Sequence, residues 1–195
     1  MLDALRRATS SLHAETENHP LVSPLLASDP TAQQVAWLLC GFREFYALLE
    51  PALSSRVPAD LAATGYRYHP RLPLLKADIA DLVGDAPVPP GLCRDLAFLC
   101  PGNPVGILYV VEGATQGGRV IAPALASSLG TGAHRGARFF HLYTRGQWPL
   151  LRGFLASRGS DGCDEILLAG CATFRLLHRV LDRVYRMRQG YEKAG

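Results

Sequence analysis

His13 and Glu17 lie four residues apart in the stretch LHAETEN. On a helix that spacing puts both side chains on one face. A carboxylate so placed accepts a hydrogen bond from one imidazole nitrogen, fixes the tautomer and leaves the other nitrogen for a metal. The same pair serves equally well as a solvent-exposed couple on an amphipathic helix. A second group stands out in YVVEGATQGGRVIAPAL, residues 109–125, where Gly113, Gly117 and Gly118 interrupt a helical pattern. Val110, Val111, Ala114, Val120, Ile121 and Leu125 keep that pattern. Each interior glycine forgoes roughly 0.8–1 kcal/mol of helix stability relative to alanine. Gly113 and Gly117 share one helix face with Tyr109 and Ile121. A row without side chains lets a flat ligand lie on bare backbone, or lets another helix approach closely. Spacing alone admits both.

Other chemistries find little support. The six histidines, His13, His19, His69, His134, His141 and His178, form no HExxH motif and no zinc-ligand spacing. No GxSxG elbow is present, and the glycines follow a helical run with no GKS or GKT, which argues against a phosphate loop. The five cysteines, Cys40, Cys93, Cys100, Cys163 and Cys171, are odd in number and contain no CxxC pair. They read as reduced thiols of a cytoplasmic protein rather than a disulfide or zinc framework. A net charge of +3 gives no electrostatic case for nucleic acid. The N-terminal stretch lacks the apolar core of a signal peptide, and no apolar run approaches the roughly 18 residues of a membrane span.

The elements that must position these residues are helices. The composition, 48% hydrophobic and 19% charged, is that of a globular chain. Its length, 195 residues, suggests a single domain over 1–195 with a sizeable core. Helical periodicity covers 3–17, with Asp3 as a candidate cap, and 31–56, with Pro51 kinking the helix or starting a new piece. A proline-rich region over 57–104 leaves room for short helices near 71–84 and 91–99. One helix is predicted over about 104–129, started by Pro104 after Asn103. GTGAHRGARFFHLY reads as a loop returning to helix, followed by helices over 147–157 and 164–188. Trp37, Trp148, Phe139 and Phe140 read as core, Tyr66 and Tyr68 as local packing. The remaining histidines read as structural or exposed, His178 being the least decided. No strand alternation and no repeat is found, so the expectation is an all-α, single-domain helical bundle.

Taken together, the two features point one way. A first helix offers an imidazole backed by a carboxylate, and a later helix offers a bare surface with apolar flanks. A planar macrocycle ligated on one side and covered by glycine backbone on the other uses both, which describes a haem pocket with one open axial position. At this point the chain resembles the haem oxygenase family, bacterial type, including members encoded beside bacteriophytochromes. LRRATSSLHAETEN resembles the proximal helix of that family and YVVEGATQGGRVIA its glycine-containing distal helix. FFHLY followed by Trp148, and ATFRLLHRVL with Phe174, resemble the later core helices. The segments occur in the family's order and cover most of the chain.

The resemblance implies that haem, both cofactor and substrate, is held between these two helices. It implies His13 as the axial iron ligand, Glu17 as its hydrogen-bond partner, and Gly113, Gly117 and Gly118 as the distal backbone. Arg6 and Tyr109, and more loosely Arg152, fall where the family contacts the haem propionates. Ala114 departs from the pattern, because many members carry there an aspartate that organises distal water. The implied activity is oxidative cleavage of haem to biliverdin with release of CO and ferrous iron. It consumes dioxygen and electrons from a redox partner, a ferredoxin or a flavoprotein reductase. A bacteriophytochrome receiving biliverdin is a further implied partner, whereas nucleic acid and membrane are not. Ala114 keeps a non-catalytic haem-binding or trafficking protein of the same fold as the alternative. Arg175, Arg179, Arg183, Arg186 and Arg188 on the last helix form either a solvated face or a docking patch for an acidic electron donor.

Overall fold

A computed structural model describes residues 1–26, 29–53, 55–159 and 163–194. Its elements are α1 (Leu2–Glu17), α2 (Ser23–Leu26), α3 (Ala32–Leu53), α4 (Ala59–Ala63), α5 (Leu72–Val83), α6 (Pro104–Ala114), α7 (Gly118–Leu129), α8 (Gln147–Ser157) and α9 (Cys163–Ala194). Three 3-10 segments, Arg94–Leu99, Thr115–Gly117 and Phe139–Arg145, complete the order. Among the described residues no strand forms, only isolated bridges such as Gly132 to Arg135.

The expected all-α architecture is borne out, with instructive differences. Asp3 sits inside the first turn of α1 while Met1 occupies the capping position. Pro51 lies inside the last turn of α3, which ends at Leu53 rather than 56; residue 54 lies outside the described residues. The single helix expected over 104–129 is instead α6, a 3-10 turn and α7. The chain stays right-handed through that turn: Ala114 has φ −59° and ψ −28°, Gly118 φ −57° and ψ −26°. The helix is therefore tightened there, not broken.

α3 is buried on nearly every side, so it is a core helix rather than an amphipathic surface one. α5 and α9 pack on it, and α9 also carries α1 and α6. The charged residues that α3 takes inside act as anchors. Arg43 donates to Glu44 Oε1 (3.0 Å) and to the Val88 carbonyl (2.7 Å), and Glu44 accepts from the amides of Gly91 (3.2 Å) and Cys93 (3.2 Å). These bonds seat the stretch 88–93, which lies between helices and has no ladder of its own. Fully buried Asp78 of α5 does the same for Phe139–Arg145, accepting from the amides of Arg138 (3.0 Å) and Phe139 (2.8 Å).

α1 runs parallel to α9. Cys171 Sγ approaches the Ala8 carbonyl (3.4 Å), and further along Thr16 Oγ1 lies 2.7 Å from His178 Nε2. α1, α6 and α9 meet at Gly170: a Cβ built there would lie 3.1 Å from Leu5 Cδ2, 3.7 Å from Thr9 Cγ2 and 3.8 Å from the Gly106 carbonyl oxygen. Gly106 is equally close, since its Cβ would come within 2.7 Å of Ala169 Cβ and 2.8 Å of the Gly170 nitrogen. Small residues at this crossing bring the histidine helix and the glycine helix onto one support.

Candidate functional site

The His13 wall is open. α1 buries only Leu5 and Thr9 of its 16 residues. His13 and Glu17 side chains are 60% and 55% exposed, with Nδ1 lying 3.7 Å from the carboxylate. The edge of Phe174 meets the imidazole ring, centroids 6.0 Å apart and planes at 74°. One face of the ring is thus backed by α9, Nδ1 is turned toward Glu17, and Nε2 makes no hydrogen bond among the described residues. Arg6 is exposed on the same helix, 3.4 Å from Asp3. Arg152 is exposed on α8. Tyr109 is half-buried, its ring 5.8 Å from that of Trp148.

The four glycines between residues 106 and 118 divide into two kinds. Gly106 and Gly118 are packing residues. A Cβ on Gly118 would collide with the Phe140 carbonyl oxygen and come within 2.9 Å of the carbonyl carbon, neither of which can move without shifting backbone. Gly118, expected as distal cofactor backbone, is itself buried, and its missing side chain makes room for the 139–145 segment. Gly113 and Gly117 differ. A Cβ at Gly113 would meet only the Trp148 indole, at an ordinary 3.6 Å, and one at Gly117 only Ile121 Cδ1, at 3.9 Å. Neither lies against a backbone, and Gly117 is exposed. Ala114 is exposed as well.

The residue before Gly113 is the one the sequence reading passed over. Glu112 is 2% exposed, yet it is charged. Its Oε1 accepts from Tyr66 Oη (2.7 Å) and from an Arg71 guanidinium nitrogen (2.6 Å). Arg71, 1% exposed, also donates to the His69 carbonyl, its amide donates to Glu50, and its guanidinium lies 4.3 Å from the Tyr68 ring centre. Tyr68 Oη in turn donates to Glu50 Oε1 (3.1 Å). Tyr66 and Tyr68 therefore do not pack locally, as their proline-rich setting suggested, but reach across to α6 and α3. Desolvation, with Glu112 adding to it, raises the Tyr66 phenol well above its ordinary range, so it remains a donor. The available signal was a lone glutamate in the otherwise apolar PVGILYVVEGA of α6, where an ionised group must find a partner.

Several other groups bound what the site does. Burial pushes the thiols of Cys40 and Cys93 up to about 11, which leaves them protonated and poor nucleophiles at neutral pH. Among the described residues no cluster of three or more His, Cys, Asp or Glu can hold a metal ion by itself. Surface hollows occur at Asp60/Phe154/Arg158, at Pro101/Pro104/Leu168 and at Asp81/Thr131/Arg135, none lined by His13, Gly113 or Gly117. Of the arginines on α9, Arg183 pairs with Asp95 and Arg188 with Glu192, while Arg175, Arg179 and Arg186 are exposed. No helix among the described residues is long and apolar enough to cross a membrane. No protein-family model matches the chain, and no curated protein matches it significantly in sequence.

Proposed function

We propose that this protein binds haem between α1 and the α6–α7 face and cleaves it oxidatively to biliverdin, CO and ferrous iron. The observation that carries the reading is the division among the glycines. Close packing accounts for Gly106 and Gly118 but leaves Gly113 and Gly117 without a packing partner that requires them. A flat ligand against bare backbone supplies the missing reason for their cost in helix stability. The donor set fits as well. A bare metal ion finds no cluster of protein ligands among the described residues. An iron that brings four equatorial nitrogens needs only one imidazole, and His13 has an uncommitted Nε2 on an exposed face.

In this reading His13 Nε2 would hold the haem iron. Glu17, at 3.7 Å from Nδ1, needs only a small rotamer change to accept the Nδ1 proton and fix the tautomer. Phe174 limits rotation of the ring. Gly113 and Gly117 set the closest approach on the other face, and Trp148 and Tyr109 form an aromatic edge beside them. Tyr109, Arg6 and Arg152 are the groups offered to the propionates, through charge-assisted bonds. The bound haem supplies the redox chemistry, with dioxygen and electrons from a ferredoxin or flavoprotein reductase. Exposed Arg175, Arg179 and Arg186 give an acidic donor a surface to meet. A bacteriophytochrome is the proposed recipient of biliverdin.

The test is direct. Purified protein is titrated with hemin while the Soret band is followed, then ascorbate or a reductase is added in air. Bile-pigment absorbance with loss of the Soret band is expected. No haem binding removes the proposal. A stable Soret band without pigment leaves a non-catalytic haem carrier, the second reading, which exposed Ala114 supports because it offers no acid to organise water.

A further inference from the structure

We propose that Tyr66, Arg71 and Glu112 form a clamp that holds the tight turn Thr115–Gly117 and so fixes where the bare face of Gly113 and Gly117 stands. They are positioning residues for the ligand on that face, and the inference rests on the reading of that face as a ligand surface.

Glu112 is held at both ends. Its carboxylate takes the Tyr66 hydroxyl (2.7 Å) and the Arg71 guanidinium (2.6 Å), while its carbonyl takes the Thr115 hydroxyl (2.6 Å) and the Thr115 amide. The amide bond closes over three residues rather than four, which is what tightens the helix from this point. A helix interrupted by Gly113, Gly117 and Gly118 has little rigidity of its own. The clamp supplies it from outside, by tying Glu112 to the 66–72 strap and, through Arg71 and Tyr68, to Glu50 of the buried α3. Consecutive helical residues are about 100° apart, so Glu112 flanks Gly113 on the side opposite Ala114. The polar support of the turn thus lies on one flank and the open space on the other. Among the described residues Arg71 Nε is buried without a partner, so the guanidinium is oriented for Glu112 and the His69 carbonyl at the expense of its Nε–H. An orphaned donor is tolerated where another constraint dominates.

The experiment uses the full chain and the variants Tyr66→Phe, which removes one hydroxyl and leaves the ion pair, and Arg71→Lys, which keeps the charge and loses the fork. Amide exchange is measured on the peptide covering Gly113–Gly118 in the ligand-free protein. Roughly tenfold faster exchange is expected there in Y66F, the weight of one hydrogen bond to a charged group, with the α1 peptide unchanged. On the ferric hemin complex, the absorption maximum and the pH midpoint of its spectral transition are expected to shift in Y66F. Unchanged exchange at the turn, or equal acceleration in every peptide, overturns the clamp, as does an unshifted hemin spectrum when wild type binds. If wild type binds no hemin, the proposed function fails separately and the exchange data still decide the clamp. If R71K does not fold, Y66F carries the test.

Discussion

The two walls are built by opposite means. The α1 wall presents His13 and Glu17 more than half exposed, resting on a helix with two buried residues. The α6 wall buries a carboxylate, a guanidinium and a phenol beneath its bare glycines, tied to residues 41 and 46 positions away in sequence. The first is a surface that borrows its order from α9. The second also packs on α9 but is tied from within as well. In the proposed haem site, one firm wall and one lightly held wall would admit a large flat ligand without deforming the core, since only α1 would need to adjust.

The sharpest break in that contrast is Arg71→Met. It leaves Glu112 buried without its cation and is expected to cost about 3–5 kcal/mol in urea unfolding. Next come adjacent glycines of opposite kind. Gly118→Ala forces Phe140 to move and is expected to cost about 1–3 kcal/mol. Gly117→Ala meets open space and is expected to stabilise the ligand-free protein by up to about 1 kcal/mol, while weakening hemin binding. Equal stability effects at the two positions contradict the division between packing and bare glycines. The pH dependence addresses the end of the lightly held wall. His19 Nδ1 accepts from the Leu21 amide (3.1 Å), and Nε2 lies 3.4 Å from Asp182. Burial lowers the His19 pKa from its ordinary value of 6.5, only partly opposed by Asp182. The unfolded chain therefore binds the proton more readily. Stability is expected to be full above about pH 6.5 and to fall as pH drops through 6.5 toward the folded value; His19→Gln flattens that slope in thermal melts. The smallest stability effect is His13→Ala. At an exposed position it should stay within about 0.5 kcal/mol of wild type, yet abolish the imidazole-ligated hemin spectrum. A large loss of stability there makes His13 a structural residue.

What the sequence made legible follows from what periodicity reports. Helices with one apolar face, such as α5 and α8, lie within a residue or two of their expected bounds. The bare face at Gly113 and Gly117 was visible as a spacing, whereas the packing of Gly118 against Phe140 was not. The clamp was not visible, because Tyr66, Arg71 and Glu112 are brought together by the path of a proline-rich segment that carries no period. The tightening at Thr115 was hidden for a related reason: a 3-10 turn with right-handed dihedrals preserves the hydrophobic pattern on both sides.

The parallel packing of α1 on α9 also bears on the order in which the molecule is made. The chain is made from N- to C-terminus, so the His13 helix is synthesised well before α9. A lone helix of 16 residues with two residues to bury is marginal in water, and its support begins at Cys163. The bonds among Tyr66, Arg71 and Glu112 join segments from the middle of the chain and can form before α9 leaves the ribosome, although α6 too is completed by its packing on α9. α1 is therefore made well before the helix that holds it, and His13 takes its place only when α9 arrives.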